Sequence, residues 1–185
     1  MTPAVAVKLN ALALYAIAAV LLAAFYFQFV LAELPCPLCL LQRVAFTALA
    51  VGPALTLRRG PRPAHYGLII VAALLGAAIA SRQVLLHIMP GDAGYGSALL
   101  GYHFYTWAFV CFVAAIAASA AMLLFPGQFA EGAPPLGLFE VAAVWLMLIV
   151  TLANAGSALV ECGFTWCPDT PIHYELLQGR GAGAT

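Results

Sequence analysis

Charge is what this sequence has least of. Of its 185 residues only 8% are charged while 65% are hydrophobic, whereas a water-soluble domain carries about 25% charged residues to solvate its surface. A chain with a mean hydropathy of +1.02 would not stay dissolved. An excess of either sign is also missing, because seven Lys and Arg balance seven Asp and Glu. No basic field exists to hold nucleic acid, and no polybasic patch to hold an anionic membrane surface. What is left is a protein embedded in a bilayer, with membrane lipid as its surroundings.

Length agrees with composition. Leu9 to Ala32 is 24 residues without a charge, more than the ~20 that span a hydrocarbon core as a helix. This run exceeds a secretory h-region of ~7–15 residues, and no small-x-small cleavage site follows before Glu33, so it is expected to stay in the mature protein. Residues 40–57 make a second span broken only by Gln42 and Arg43, and residues 64–81, 106–125 and 141–160 make three more with no Asp, Glu, Lys or Arg. The expected fold is an all-α membrane protein: one transmembrane helical domain over 1–178 and a flexible tail over 179–185. Small residues around Gly67, Gly76 and Ala114 to Ala121 suit close helix packing. Met89-Pro90 and Pro134-Pro135 read as loop punctuation.

Short cytoplasmic loops are enriched in Lys and Arg. Lys8, Arg58, Arg59 and Arg62 therefore assign the N-terminus and the second turn to the cytoplasm, against Arg43, Arg82 and Arg180 on the other side. Five spans then put the C-terminus outside. On this orientation Cys36 and Cys39, just before the second helix, and Cys162 and Cys167, just after the fifth, all face outward. Outside a bacterial plasma membrane paired cysteines are disulfides more often than metal ligands. Cys111 falls in mid-helix, where a thiol is a small hydrophobe.

A Cys-x-x-Cys pair at a helix start has a chemical logic. The helix N-terminus favours the thiolate, the attacking species in disulfide exchange, and Cys39 is placed to gain most. Arg43 follows one turn later on the same face. An arginine inside the apolar boundary marks a functional site by default. Three roles are open to it: stabilising the thiolate, hydrogen-bonding an oxygen of a lipid-soluble acceptor, or snorkelling to the headgroups. His103, Tyr105 and Trp107 read as an interfacial aromatic belt, and His65 and His173 as solvated.

Leu34-Pro35-Cys36-Pro37-Leu38-Cys39-Leu40-Leu41-Gln42-Arg43 resembles the Pro-Cys-x-x-Cys-x-x-x-Arg segment of the disulfide bond formation protein B (DsbB) family. Ser81-Arg82-Gln83-Val84-Leu85-Leu86-His87 resembles the end of that family's third helix, and the likeness extends over roughly residues 10–125. It implies a four-helix bundle, here with a fifth helix added, and a membrane oxidoreductase that reoxidises a periplasmic thioredoxin-fold oxidase, DsbA, and passes electrons to ubiquinone or menaquinone. By position it makes Cys36 and Cys39 the quinone-proximal pair, Arg43 the quinone-orienting arginine, and His87 the counterpart of a histidine near the quinone in some members.

The departure from the pattern is a second absence. The family carries another cysteine pair between its third and fourth helices, and here Arg82 to Tyr105 holds no cysteine. The fifth helix brings Cys162 and Cys167 to the same outer face, so a relocated shuttle pair is expected. Two other readings stand beside it: a static clip on the C-terminal tail, and a four-cysteine metal site built from both pairs. A non-catalytic membrane subunit or quinone-binding scaffold with structural disulfides is the alternative function.

Overall fold

The computed structural model describes residues 1–129 and 135–178. The expected tail over 179–185, Arg180 and Pro134 lie outside the described residues. Five helices are long and apolar enough to cross a membrane, Pro3–Phe29, Pro37–Arg59, Pro63–Leu86, Phe104–Leu123 and Leu138–Cys162, and the chain is an all-α membrane protein.

Helix starts follow local capping chemistry and so differ from the ends of the apolar runs. The first helix, α1 (Pro3–Phe29), begins one turn and a half before Leu9, because Thr2 Oγ1 accepts the Val5 N–H and Pro3 suits a first turn. Pro37 and Pro63 open α2 and α4 in the same way. The second span is two helices, α2 (Pro37–Leu49) and α3 (Val51–Arg59). Pro53 has no N–H for the Leu49 carbonyl and its ring crowds that carbonyl, which breaks the helix at Ala50. At Gly52 an added Cβ would collide with Ile69 and the His65 carbonyl, so glycine there lets α3 lie close on α4 (Pro63–Leu86).

α4 packs against α2, α3 and α5 (Phe104–Leu123), while α1 packs against α3 and, on its other side, α6 (Leu138–Cys162). The core between them holds Leu14, Leu21, Leu57, Tyr66 and Phe112. Phe46 stacks on Phe112 with ring centroids 4.2 Å apart, and Phe112 lies directly over Gly76, where no side chain would fit. Leu22, Leu75, Ile149 and Leu152 point outward, as lipid-facing residues of a membrane bundle must.

Two sequence expectations change. His65 is 5% exposed and hydrogen-bonded to Thr56 Oγ1 at 3.2 Å; the turn between α3 and α4 folds it inward instead of into solvent. The fifth span takes in both flanking carboxylates, with Glu140 accepting the Gly137 N–H at 2.9 Å and Glu161 lying one residue from the helix end. Between α4 and α5 the chain forms a short antiparallel hairpin, β1 (Ala98–Leu99) and β2 (Tyr102–His103). A four-residue helix, α7 (Glu175–Gln178), packs back on α6.

Candidate functional site

Cys36 is the N-cap of α2. Its backbone is extended, and its sulfur accepts the Cys39 N–H at 3.2 Å, which satisfies one of the donors a helix start leaves open. Cys36 and Cys39 are joined in a disulfide with Cα atoms 5.0 Å apart. Helix-terminal hydrogen bonding therefore reaches Cys36, where the spacing alone had favoured Cys39.

A residue that spacing did not single out closes over this pair. Gln83, 1% exposed near the end of α4, donates from Nε2 to Cys36 Sγ at 3.2 Å and to Cys39 Sγ at 3.5 Å. Its carbonyl oxygen accepts from Gln42 Nε2 at 2.7 Å. The neighbouring Arg82 is exposed.

Arg43 does not snorkel. It is 9% exposed and turns inward, donating from Nη1 to Gln28 Oε1 at 2.7 Å and from Nη2 to the Ala24 carbonyl at 3.1 Å. Its guanidinium carbon lies 5.5 Å from the Phe25 ring centroid, within cation–π range. Gln28 in turn donates from Nε2 to Ser157 Oγ at 2.9 Å and to the Tyr174 hydroxyl at 3.3 Å. One α1 side chain thus links the arginine of α2 to α6 and to the segment beyond it. Ser157 is five residues before Cys162, and Cys36 is seven before Arg43; α2 and α6 run in opposite directions, so both cysteine pairs lie toward the same end of the bundle.

Cys162 and Cys167 form the second disulfide, with Cα atoms 4.6 Å apart. Cys162 is 7% exposed, but the intervening turn carries Phe164 and Trp166 at 89% and 97% exposure. Glu161, beside it, is 1% exposed, and its Oε2 makes no hydrogen bond among the described residues; it lies within electrostatic reach of Arg43 and Tyr95. Composition offered no signal for Glu161, since it falls just past an apolar run. Cys36, Cys39, Cys162 and Cys167 are paired within their own motifs, and among the described residues no group of three or more His, Cys, Asp or Glu could hold a metal ion.

A cavity of about 380 Å³ opens beside the first pair, lined by Cys39, Gln42, Arg43 and Phe46 from α2, Ala24 and Phe27 from α1, and Phe104, Tyr105, Trp107 and Cys111 from α5. That volume falls in the ~300–1,000 Å³ range of small-molecule sites, which are mostly apolar with a few placed polar groups. Tyr105 and Trp107 belong to this wall as well as to the outer end of α5. The loop closes over it from outside: Tyr95 donates to the Leu34 carbonyl at 2.6 Å, Ser97 N–H donates to Glu33 Oε2 at 3.0 Å, and the Ser97 hydroxyl donates to Glu33 Oε1. Burial pushes the Tyr95 phenol up, with Glu161 and Glu33 adding to the shift, so it stays a donor.

His87 is not on the cavity wall. It pairs with Asp92 at 3.1 Å and stacks on Tyr105, ring centroids 5.6 Å apart, one residue removed from the space. The site therefore gathers Cys36, Cys39 and Arg43 directly, links through Gln28 and Ser157 to α6, the helix that ends at Cys162, and touches His87 only through Tyr105.

Residues 7–98 match the family model described as Disulfide bond formation protein DsbB. Among curated proteins, the Disulfide bond formation protein B of Xanthomonas axonopodis pv. citri (strain 306) is 45% identical over 82 residues, 42% of this chain and 48% of that one. The protein of the same name from Marinobacter nauticus is 43% identical over 79 residues, 40% of this chain and 47% of that one. Disulfide bond formation protein B 1 of Pseudomonas fluorescens is 41% identical over 71 residues, 36% of this chain and 41% of that one. The chain spans about half the length of the curated relatives it matches. No solved structure matches. The family match ends at residue 98, short of the 125 that helix order suggested, so α5, α6 and the second cysteine pair lie beyond it.

Proposed function

The chain belongs to the disulfide bond formation protein B (DsbB) family through residues 7–98, and from that premise we propose that it is a membrane thiol:quinone oxidoreductase that reoxidises a DsbA-like thioredoxin-fold dithiol oxidase outside a bacterial plasma membrane. Its N-terminus and the Arg58-Arg59-Arg62 turn lie in the cytoplasm, and its C-terminus in the periplasm. The observation that carries the reading is the meeting of Cys39 and a buried, inward-held Arg43 on the wall of one apolar cavity.

The residues present fit a ubiquinone or menaquinone ring. Aromatic walls from Phe46, Phe104, Tyr105 and Trp107 suit a flat apolar body. Arg43 commits two N–H groups to Gln28 and Ala24, and a guanidinium has five, which leaves donors for a carbonyl oxygen. A bound quinone supplies a two-electron, two-proton sink.

The thiol chemistry belongs to the chain. A thiolate of the reduced oxidase attacks the Cys162–Cys167 disulfide, and the oxidase's second thiol resolves the mixed disulfide, leaving Cys162 and Cys167 as thiols. They attack Cys36–Cys39, re-forming their own bond and leaving that pair reduced. Each exchange moves two electrons and two protons, so sulfur and charge balance. Cys39, on the cavity wall, is the exit, and Arg43 orients the acceptor. Phe164 and Trp166 stand exposed in the turn between the two sulfurs of the second pair, and the Gln28 link ties its helix to Arg43.

Serine replacement of each cysteine in the full chain, reconstituted in lipid with a reduced thioredoxin-fold oxidase and a short-chain quinone, tests the order. Loss of quinone reduction in all four variants is expected. Unchanged turnover in Cys162→Ser and Cys167→Ser would reduce that pair to a clip on α7, and unchanged turnover in all four would leave a scaffold. Impermeant maleimide labelling after reduction should find both pairs in one compartment; opposite compartments would end the relay.

A further inference from the structure

The Cys36–Cys39 disulfide is not left to the helix terminus alone. Gln83 reaches it from α4, across 44 residues of sequence, and places one amide nitrogen within hydrogen-bond distance of both sulfurs, 3.2 Å from Cys36 and 3.5 Å from Cys39. An amide can present oxygen or nitrogen on either side. Here Gln42 Nε2 donates to Gln83 Oε1 at 2.7 Å and engages that oxygen, which lies 3.9 Å from Cys39 Sγ, so the nitrogen is the end of the amide nearer both sulfurs. Gln42 and Gln83 are 6% and 1% exposed, so water does not compete for either amide. Gln42 sits on the same helix as the pair, three residues after Cys39, which locks the three groups into one rigid cluster.

We infer that Gln83, oriented by Gln42, sets the redox poise of the Cys36–Cys39 pair by donating a hydrogen bond to its sulfurs. A disulfide sulfur is a weak acceptor and a thiolate sulfur a strong one, and hydrogen bonds to ionised acceptors are about twice as strong as neutral ones. A fixed donor therefore stabilises the reduced pair more than the oxidised pair. A couple whose reduced form is stabilised is the stronger oxidant. The direction suits a pair that takes electrons from another protein disulfide. The proposal rests on the reading of Cys36–Cys39 as the redox-active pair, not on the role of Cys162–Cys167 or on any acceptor in the cavity. Both glutamines touch the sulfurs or the group that touches them; neither is assigned to the quinone.

The test equilibrates the purified full chain in lipid nanodiscs, without quinone or soluble oxidase, against glutathione buffers. The fraction of the Cys36–Cys39 peptide that is oxidised is read by alkylation and mass spectrometry. In this exchange two glutathione thiols lose two electrons and two protons to the pair and become one disulfide. Gln83→Met keeps the volume and removes the donor. It is expected to lower the equilibrium constant for reduction about tenfold, which is close to 30 mV for a two-electron couple. Gln83→Glu, an acceptor facing the sulfurs, should move it further the same way. Gln42→Leu leaves Gln83 in place but frees its amide to turn, and should give a shift of the same sign and smaller size.

A residue that only packs the helices would lower thermal stability and leave the equilibrium alone. If Gln83→Met does not fold, Gln42→Leu carries the same reading. An equilibrium within threefold of the parent in the folded variants overturns the proposal. Failure of the oxidoreductase reading looks different: the parent pair would then resist glutathione at every ratio tried, and no variant could shift it.

Discussion

Arg43 Nη1 donates to Gln28 Oε1 at 2.7 Å, and the other end of the same amide donates to Ser157 and Tyr174. The guanidinium is therefore aimed from α1 as much as from its own helix, and the helix beyond the family match holds the aiming residue in place.

Under the proposed function, loss of the arginine should separate quinone binding from thiol chemistry. Arg43→Ala removes charge-assisted hydrogen bonds worth about 1.5–3 kcal/mol, so the KM for a short-chain quinone should rise at least about tenfold. Exchange between the two cysteine pairs, followed by alkylation in quinone-free lipid, should change less than about threefold. Gln28→Leu should show the same split in smaller measure, with a lower Tm because Arg43 and Ser157 lose a buried partner. A fall in pair-to-pair exchange with an unaltered KM would remove Arg43 from the acceptor's side.

A second buried polar cluster lies at the other end of the bundle, away from the cysteines. Tyr66, 1% exposed, donates to Gln128 Oε1 at 2.7 Å and accepts from Asn10 Nδ2 at 3.1 Å. Tyr66→Phe keeps the ring and takes the hydroxyl donor from Gln128 Oε1, while Asn10 Nδ2 keeps its bond to the Ala6 carbonyl at 2.8 Å, at a cost of about 1–3 kcal/mol for the buried acceptor left unpaired. Thermal unfolding in detergent should register that loss while quinone turnover below the transition stays at the parent value.

What sequence could and could not reveal divides along the reach of local rules. Cys36, Cys39 and Arg43 lie within eight residues on one helix, so helical spacing places them together without any knowledge of packing. Five spans follow from the length of the apolar runs alone. Gln83 and Gln28 were invisible because their importance depends on which faces of α4 and α1 meet α2, and helix register against a neighbour is set by summed side-chain packing. His65 was misplaced for a related reason: a position beside three arginines reads as wet, but Gly52 lets α3 approach α4 closely enough to bury it. Gln42 looked like a blemish in an apolar run and is half of a hydrogen-bonded pair.

The loop over the cavity is fastened by a carboxylate, and that gives it a pH dependence. Asp92 accepts the Gly94 N–H at 2.7 Å and faces His87, and Gly94 takes φ +70, where its neighbour His103 also leaves no room for a side chain. The Gly94 amide first, and His87 second, hold the Asp92 carboxyl below its ordinary value. A carboxylate whose folded value is depressed contributes its fastening above the unfolded value and loses it as pH falls through the folded one. The Asp92 carboxyl carbon should accordingly titrate below the ordinary 3.8 in the NMR spectrum of the folded protein. Asp92→Asn should speed proteolytic cleavage within residues 91–96 at neutral pH; parent-like cleavage would mean that the hairpin and Tyr95 hold the loop unaided.

The ring closed by Cys162 and Cys167 carries its two aromatics where a folded protein normally would not. Phe164 is 89% exposed and Trp166 97%, and large exposed aromatics are the residue type that anchors a partner. Under the proposed relay, Trp166→Ala should raise the KM for the soluble oxidase about tenfold, the ~1.4 kcal/mol of a modest anchor, with kcat nearly unchanged because the sulfurs are untouched. The same residues could sit among headgroups instead, as interfacial tryptophans do. The two placements part on fluorescence, measured with Phe substituted for the other two tryptophans, Trp107 and Trp145. An anchor should shift its emission when oxidase is added and not when lipid composition is varied; a membrane residue should do the reverse, and Trp166→Ala would then leave the KM where it was.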